Sequence, residues 1–258
     1  MHSERKARRV VITGASAGLG EALAKHYAEE GAVLGLIARR ESVLQALAAV
    51  LSSPVAVYGC DVRNTAAMRA AGEDFVRRHG CPDIVIANAG VSYGTLTELP
   101  EDFETFREIL DTNVLGMVAT FQPFIESMRA ERRGTLVGIA SVAGYRGLPG
   151  AEAYCASKAA AITYLESLRI RLKKDGIKVI TVSPGYIATA MTAKNPYPMP
   201  FMLTAERAAR KIANTIDRRR DYTVLPWQMS IVARSLRMIP RWLFDAVLSE
   251  APQKPRRS

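Results

Sequence analysis

The chain has 258 residues, 48% hydrophobic and 23% charged, the profile of a soluble globular protein with room for one large α/β domain or two small ones. Its formal charge of +10 suits nucleic acid, an anionic membrane surface or phosphorylated ligands. Zinc-finger spacing and RNA-binding signatures are absent, which makes nucleic acid a weak option, and no apolar run approaches the ~18 residues that span a bilayer.

The N-terminus, MHSERKARRV, passes from basic residues into a strand without the apolar core of a signal peptide. A first strand is expected at 9–13, followed by Thr13-Gly14-Ala15-Ser16-Ala17-Gly18-Leu19-Gly20 and a helix at 20–30. Glycines let a backbone turn tightly and approach a ligand that a Cβ would push away. The helix N-terminus then offers free N–H groups and a positive dipole to a pyrophosphate. Such a turn can also be a bare connector, but between a buried first strand and a helix it points to a dinucleotide. The glycines fall as GxxxGxG, not as GxGxxG. The second strand, at 33–38, ends in Ala38-Arg39-Arg40. Ala38 stands where an acid would bind a ribose 2′-hydroxyl, and the arginines suit a 2′-phosphate. Helices at 42–51 and 65–79 flank a third strand at 55–59; a fourth strand is expected at 84–88 and one long helix over 103–129. The fifth strand, at 135–140, precedes a helix over 152–175 that carries Tyr154-Cys155-Ala156-Ser157-Lys158. Phenol and ammonium at i and i+4 share one helix face, and a nearby positive charge lowers a tyrosine pKa. Taken alone, the YxxxK spacing also fits a helix that merely happens to carry both residues. Strands at 178–183 and 222–225 complete the pattern.

Most of these strands are continuous apolar runs, as expected when both faces are buried. The alternation predicts an α/β fold: a doubly wound Rossmann-type parallel sheet of about seven strands with helices on both faces. Residues 1–225 form one catalytic domain in this reading, with a substrate lid at about 186–203, and 226–258 form a basic amphipathic extension. Cys60, Cys81 and Cys155 are odd in number and show no CxxC spacing, which points to a reducing cytoplasm. His2, His26 and His79 read as surface or helix residues, and no metal site is expected.

These residues resemble the compact, single-domain branch of the short-chain dehydrogenase/reductase family, from about Val10 to Leu225. TGASAGLG resembles the family's TGxxxGxG loop, which implies nucleotide contacts at Gly14, Ser16, Gly18, Leu19 and Gly20, with Arg39 and Arg40 beyond. Cys60-Asp61-Val62 resembles the segment whose aspartate binds the adenine amino group. Asn88-Ala89-Gly90 is similar to the NAG motif that steadies the central strand beside the adenine ribose. Asn113, Ser141, Tyr154 and Lys158 fall in the order and spacing of the catalytic tetrad. The resemblance implies Tyr154 as general acid/base, Ser141 as the donor that polarises a carbonyl, and Lys158 as the residue that holds the nicotinamide ribose and, together with the positive nicotinamide of the oxidised cofactor, lowers the tyrosine pKa. Asn113 would anchor a proton-relaying water. Pro184-Gly185, with Ile187 and Thr189, resembles the loop at the nicotinamide carboxamide. The chain departs from the family at its end, where many tetrameric members close with a short Gly-rich turn; here it reads DYTVLPW and then a basic tail.

The expectation is an NADP(H)-dependent carbonyl reductase or alcohol dehydrogenase in the cytoplasm, a homodimer or higher homo-oligomer. Its substrate would be a hydrophobic ketone, aldehyde or secondary alcohol, held by Ser141, Tyr154, Tyr93 and Tyr145 under a lid rich in Met, Pro and Tyr. Arg146 is the nearby cation that could reach an anionic group. The alternatives are a non-catalytic NADP(H)-binding regulator and a membrane-surface protein on the same fold. The tail would serve the latter: Arg234, Arg237 and Arg241 make a basic stripe beside Ile231, Val232, Leu236, Ile239, Leu243 and Val247, with Trp242 and Phe244 as anchors. That face suits the inner membrane surface, or packing over the cleft or a partner subunit. Pro240 should kink or divide the helix.

Overall fold

The fold is described from a computed structural model covering residues 7–193 and 195–257. The sequence readings on residues 1–6 (His2 included), Lys194 of the lid and Ser258 lie outside these described residues. In chain order, β1 (Arg9–Thr13), α1 (Gly18–Glu29), β2 (Val33–Ala38), α2 (Glu41–Val50), β3 (Val55–Gly59), α3 (Thr65–His79) and β4 (Ile84–Ala87) build the first half. The second half runs through α4 (Asp102–Leu110), α5 (Gly116–Ala130), β5 (Thr135–Ile139), α6 (Glu152–Leu172) and β6 (Lys178–Pro184). It continues with β7 (Ile187–Ala188), β8 (Leu203–Thr204), α7 (Ala205–Asp217), β9 (Tyr222–Leu225), α8 (Trp227–Met238) and α9 (Arg241–Leu248).

Seven strands form one parallel sheet in the order β3-β2-β1-β4-β5-β6-β9. The fold is the expected α/β, doubly wound Rossmann type. Alternation within each strand divides the core in two. Val10 and Ile12 of β1 pack with Leu23 and Tyr27 of α1, Leu44 of α2 and Ile212 of α7. Val11 points to the other face, among Phe75 of α3, Phe124 of α5 and Leu165 of α6. A strand buried on both faces can be apolar throughout, and all five residues of β1 are buried, Arg9 included.

Three expectations change. The single helix over 103–129 is interrupted by one π-helical turn, Asp111–Leu115, between α4 and α5. A π turn shifts the side-chain register, and here Asn113 is buried at 1% exposure. Helix α7, absent from the elements read in the sequence, packs beside α1 and against β7, β8 and β9 with a row of buried alanines and isoleucines. The tail divides at Pro240 as expected, which places Arg241 on α9 and breaks the stripe it was to share with Arg234 and Arg237. Phe244 is buried, whereas Trp242 and Val247 stay exposed.

Candidate active site

The carboxyl ends of the parallel strands converge on a cleft of about 410 Å³, within the ~300–1,000 Å³ range usual for small-molecule sites. One end is walled by the β1–α1 loop. Gly14 there adopts φ +67°, and a Cβ on it would sit 2.8 Å from Ala89 Cα, so only glycine fits. Gly20, expected as a nucleotide contact, is not among the cleft residues. Its missing Cβ instead lets α1 approach the loop, since the atom would lie 2.2 Å from Gly14 O. Asn88 fastens the same loop: its Nδ2 donates to Thr13 O at 3.0 Å, while its N–H donates to Thr13 Oγ1 at 3.2 Å.

Arg39 and Arg40 are exposed at the end of β2 and line the cleft. Arg40 Nη2 donates to Ser16 Oγ at 3.1 Å and Ser16 O at 3.2 Å, joining the two predicted phosphate contacts. Asp61 also lines this end; the Arg63 guanidinium holds its carboxyl below the usual range, with Arg39 adding to the effect. Ser16, Gly18, Leu19, Val62, Ala89, Gly90, Pro184, Gly185, Ile187 and Thr189 all face the same space. The cleft residues thus form one elongated wall with arginines at one end and hydroxyl and ammonium groups at the other, which fits a dinucleotide.

At that other end stand Ser141, after β5, and Tyr154 and Lys158 on α6. Lys158 is 5% exposed; its Nζ donates to Ile139 O at 2.9 Å and lies 5.8 Å from the Tyr154 ring centroid. Burial lowers the Lys158 pKa to about 8. Burial also raises the Tyr154 phenol above its ordinary value, and the Ser141 hydroxyl opposes that rise. Lys158 is not among the groups that shift the phenol in the chain alone; the lowering expected of it acts together with the positive nicotinamide of a bound cofactor. Ser141 Oγ accepts from Ala143 N at 3.2 Å.

Asn113 does not line the cleft. Its Nδ2 donates to Val91 O and Ser157 Oγ, both at 3.0 Å, and its Oδ1 accepts from Val91 N at 2.8 Å. It fixes the strand end behind the site. Ser157 in turn donates to Tyr154 O at 2.7 Å, a link the sequence reading missed.

Tyr93 and Tyr145, expected against the substrate, are not among the cleft residues. The Tyr145 hydroxyl pairs with that of Tyr222, and Arg257 lies over the Tyr93 ring at 5.3 Å. Arg146 is committed elsewhere: its Nη1 donates to Leu236 O at 2.8 Å and Ile239 O at 2.9 Å, and its guanidinium lies 4.1 Å over Phe244. It clamps the tail to the body and is not available to an anionic ligand. Met191 and Thr192 of the lid do reach the cleft, and Thr192 Oγ1 closes the loop by donating to Ile187 O at 2.6 Å.

Comparison with known proteins assigns this arrangement to a class. The sequence profile of the short chain dehydrogenase family matches residues 8–198. The chain is 38% identical over 250 residues to an uncharacterized oxidoreductase of Myxococcus xanthus, covering 95% of this chain and 97% of that protein. It is 34% identical over 254 residues to 11-beta-hydroxysteroid dehydrogenase-like 3 of Arabidopsis thaliana, covering 95% and 78%. An alcohol dehydrogenase from Thermococcus sibiricus, complexed with 5-hydroxy-NADP, superposes with a TM-score of 0.75 at 26% identity, covering 85% of this chain and 96% of that one. The chain belongs to the short-chain dehydrogenase family and is an oxidoreductase.

Proposed function

We propose that the chain is an NADP(H)-dependent carbonyl reductase, run in reverse as an alcohol dehydrogenase, on ketones, aldehydes or secondary alcohols with an apolar body. One observation carries the reading: a single cleft runs from Arg39 and Arg40 past the glycine loop to Ser141, Tyr154 and Lys158. The nicotinamide nucleotide, when bound, supplies or accepts a hydride. Tyr154 gives its proton to the carbonyl oxygen in reduction and takes it back in oxidation. Ser141 donates a hydrogen bond to that oxygen and stabilises the charge developing on it. Lys158, charged, holds the ribose hydroxyls and stabilises the phenolate left behind. Asn113 acts one layer back, anchoring a proton-relaying water beside Lys158 while it holds Val91 and Ser157. Gly14, Gly18 and Leu19 receive the pyrophosphate, Asp61 and Val62 the adenine, Asn88 to Gly90 the adenine ribose, and Pro184, Gly185, Ile187 and Thr189 the carboxamide.

Arg39, Arg40 and Ser16 favour a 2′-phosphate. Each charge-assisted hydrogen bond contributes roughly 1.5–3 kcal/mol, so one or two give at least ~10-fold preference for NADP over NAD. The NADP derivative complexed with the Thermococcus sibiricus enzyme and the hydroxysteroid in the Arabidopsis relative's name are in keeping with this choice. The test follows NADPH and NADH absorbance against ketones of graded chain length. NADPH should be preferred at least ~10-fold, and Tyr154→Phe should lose more than nine-tenths of turnover while nucleotide affinity is nearly kept. A wild type that binds nucleotide but turns over nothing would make it a non-catalytic regulator.

The tail supports a second reading, peripheral contact with an anionic membrane from the cytoplasmic side. Trp227, Met238, Trp242 and Val247 are 67%, 81%, 72% and 68% exposed beside Arg234 and Arg241. The catalytic unit would then be residues 1–225, assembled as a homo-oligomer, with 226–258 as its extension. Among the described residues no helix is long and apolar enough to cross a membrane.

A further inference from the structure

Beyond α9, residues 253–257 turn back over Gly94, Gly150 and Asp102 as a strap beside Tyr154. Arg256 donates from Nε and Nη2 to both oxygens of Asp102, at 2.9–3.1 Å. Asp102 is buried and also accepts from Leu96 N at 2.9 Å, so the anchor is rigid. Arg257 pairs with Glu108, and Gly94 N donates to Pro255 O at 2.8 Å. Two glycines leave space for the strap: a Cβ on Gly94 would lie 2.2 Å from Lys254 O, and one on Gly150 would lie 2.8 Å from Gln253 Cβ. Lys254 is not itself among the cleft residues, but this backbone directs its side chain toward Tyr154, which is. Lys254 Nζ stands 5.0 Å from the Tyr154 ring centroid, nearer than Lys158 at 5.8 Å.

Among the described residues, Lys254 has no carboxylate within ion-pair distance and no hydrogen-bond acceptor. The ring face offsets part of the charge, and none of the ammonium's three N–H donors meets a protein acceptor among the described residues. Burial alone depresses its pKa, a penalty that a bound anion would offset. The other cations near the mouth have partners: Arg256 and Arg257 are paired with acids, and Arg146 with carbonyls. A single ammonium with no second cation beside it balances one negative charge, which a carboxylate carries.

We propose that Lys254 recognises a carboxylate on the substrate, carried within a few carbon atoms of the reacting carbonyl, so that the enzyme's substrates are oxo acids and hydroxy acids with an apolar body. The inference rests on the carbonyl-reductase reading and names the substrate class of the same site. The lid supplies the apolar contact, Tyr154 and Ser141 take the carbonyl, and the strap takes the acid. The sequence reading, which named Arg146 as the nearby cation, lacked this one because it enters from a distant segment.

Two measurements test it. The first compares kcat/KM for benzoylformate and levulinate, each against its own methyl ester, in wild type, Lys254→Met and Lys254→Arg. Wild type should favour at least one acid about tenfold, as expected for one charge-assisted hydrogen bond. Lys254→Met should bring the ratio close to one, and Lys254→Arg should keep most of it. Equal rates in wild type, or an acid preference that survives in Lys254→Met, overturns the proposal. The second, by calorimetry, compares octanoate with octanamide and needs no turnover. Tighter octanoate binding in wild type, lost in Lys254→Met at unchanged thermal stability, supports the proposal; no difference in wild type overturns it. If no carbonyl compound is reduced at all, the reductase reading fails, and the calorimetric result decides Lys254 by itself.

Discussion

Lys158 and Tyr154 sit one helical turn apart, and burial pushes each toward its neutral form. For Lys158 the shift is from 10.5 to about 8, and its sign sets a pH window. The ammonium is present below the lowered pKa and is lost as pH rises through it. Nucleotide affinity, if the ammonium holds the ribose, should be level below neutral pH and weaken as pH climbs through about 8. Lys158→Met should bind more weakly and lose this pH dependence, as fluorescence titration against NADPH will show; a wild-type affinity flat to pH 10 would remove Lys158 from the ribose. At Lys158 the same linkage makes the unfolded chain the better proton binder between about 8 and 10.5. Lys158 should therefore add stability as pH rises from about 8, opposed from about 9 by Cys60, Cys81 and Cys155 and from about 10 by Tyr154, whose folded forms hold their protons longer.

At the scale of elements, the tail helices are held to the body by few contacts. Phe244 of α9 is 8% exposed, and Arg146 lies over its ring while bonding the carbonyls at the end of α8. Removing a core phenylalanine costs about 3–5 kcal/mol. At this peripheral site Phe244→Ala should cost about 2–3 kcal/mol, a fall of roughly 4–12 °C in Tm for a chain of this size. An unchanged melting curve would show that α9 is not fastened through this ring. The seven strands of the main sheet and most helices were legible in the sequence because a parallel sheet buries continuous apolar runs, and because the glycine loop, NAG and YxxxK segments sit at fixed places in that frame; the two-residue β7 and β8 were not. The π turn was not, since the apolar pattern continues through Asp111–Leu115 and only packing shows the shifted register. The strap was also invisible. Its partners, Gly94, Asp102 and Glu108, lie about 150 residues earlier in the chain, and a five-residue segment without periodicity gives no hint of them. Arg146 was legible as a cation, but its pairing with two tail carbonyls belongs to tertiary structure alone.

For the whole molecule, the net charge of +10 is joined on one side by the exposed tryptophans and arginines of the tail. Juxtamembrane cations each add about 1 kcal/mol on anionic lipid. The intact protein should sediment with phosphatidylserine vesicles at low salt, and Trp227→Ser with Trp242→Ser should reduce the bound fraction several-fold. Indifference to such vesicles in the wild type would leave the tail as a structural cover only. The sheet order separates the two ends of the cleft. Arg39 and Arg40 follow β2, Ser141 follows β5, and β1 and β4 stand between. Three strand spacings amount to about 14 Å, beyond the ~7–10 Å within which substitutions usually couple. Changes at the two ends should combine as independent factors. If the proposed roles hold, a lineage built on this chain can exchange its coenzyme by mutation near residue 39 and keep the chemistry at Ser141, or change that end and keep its coenzyme.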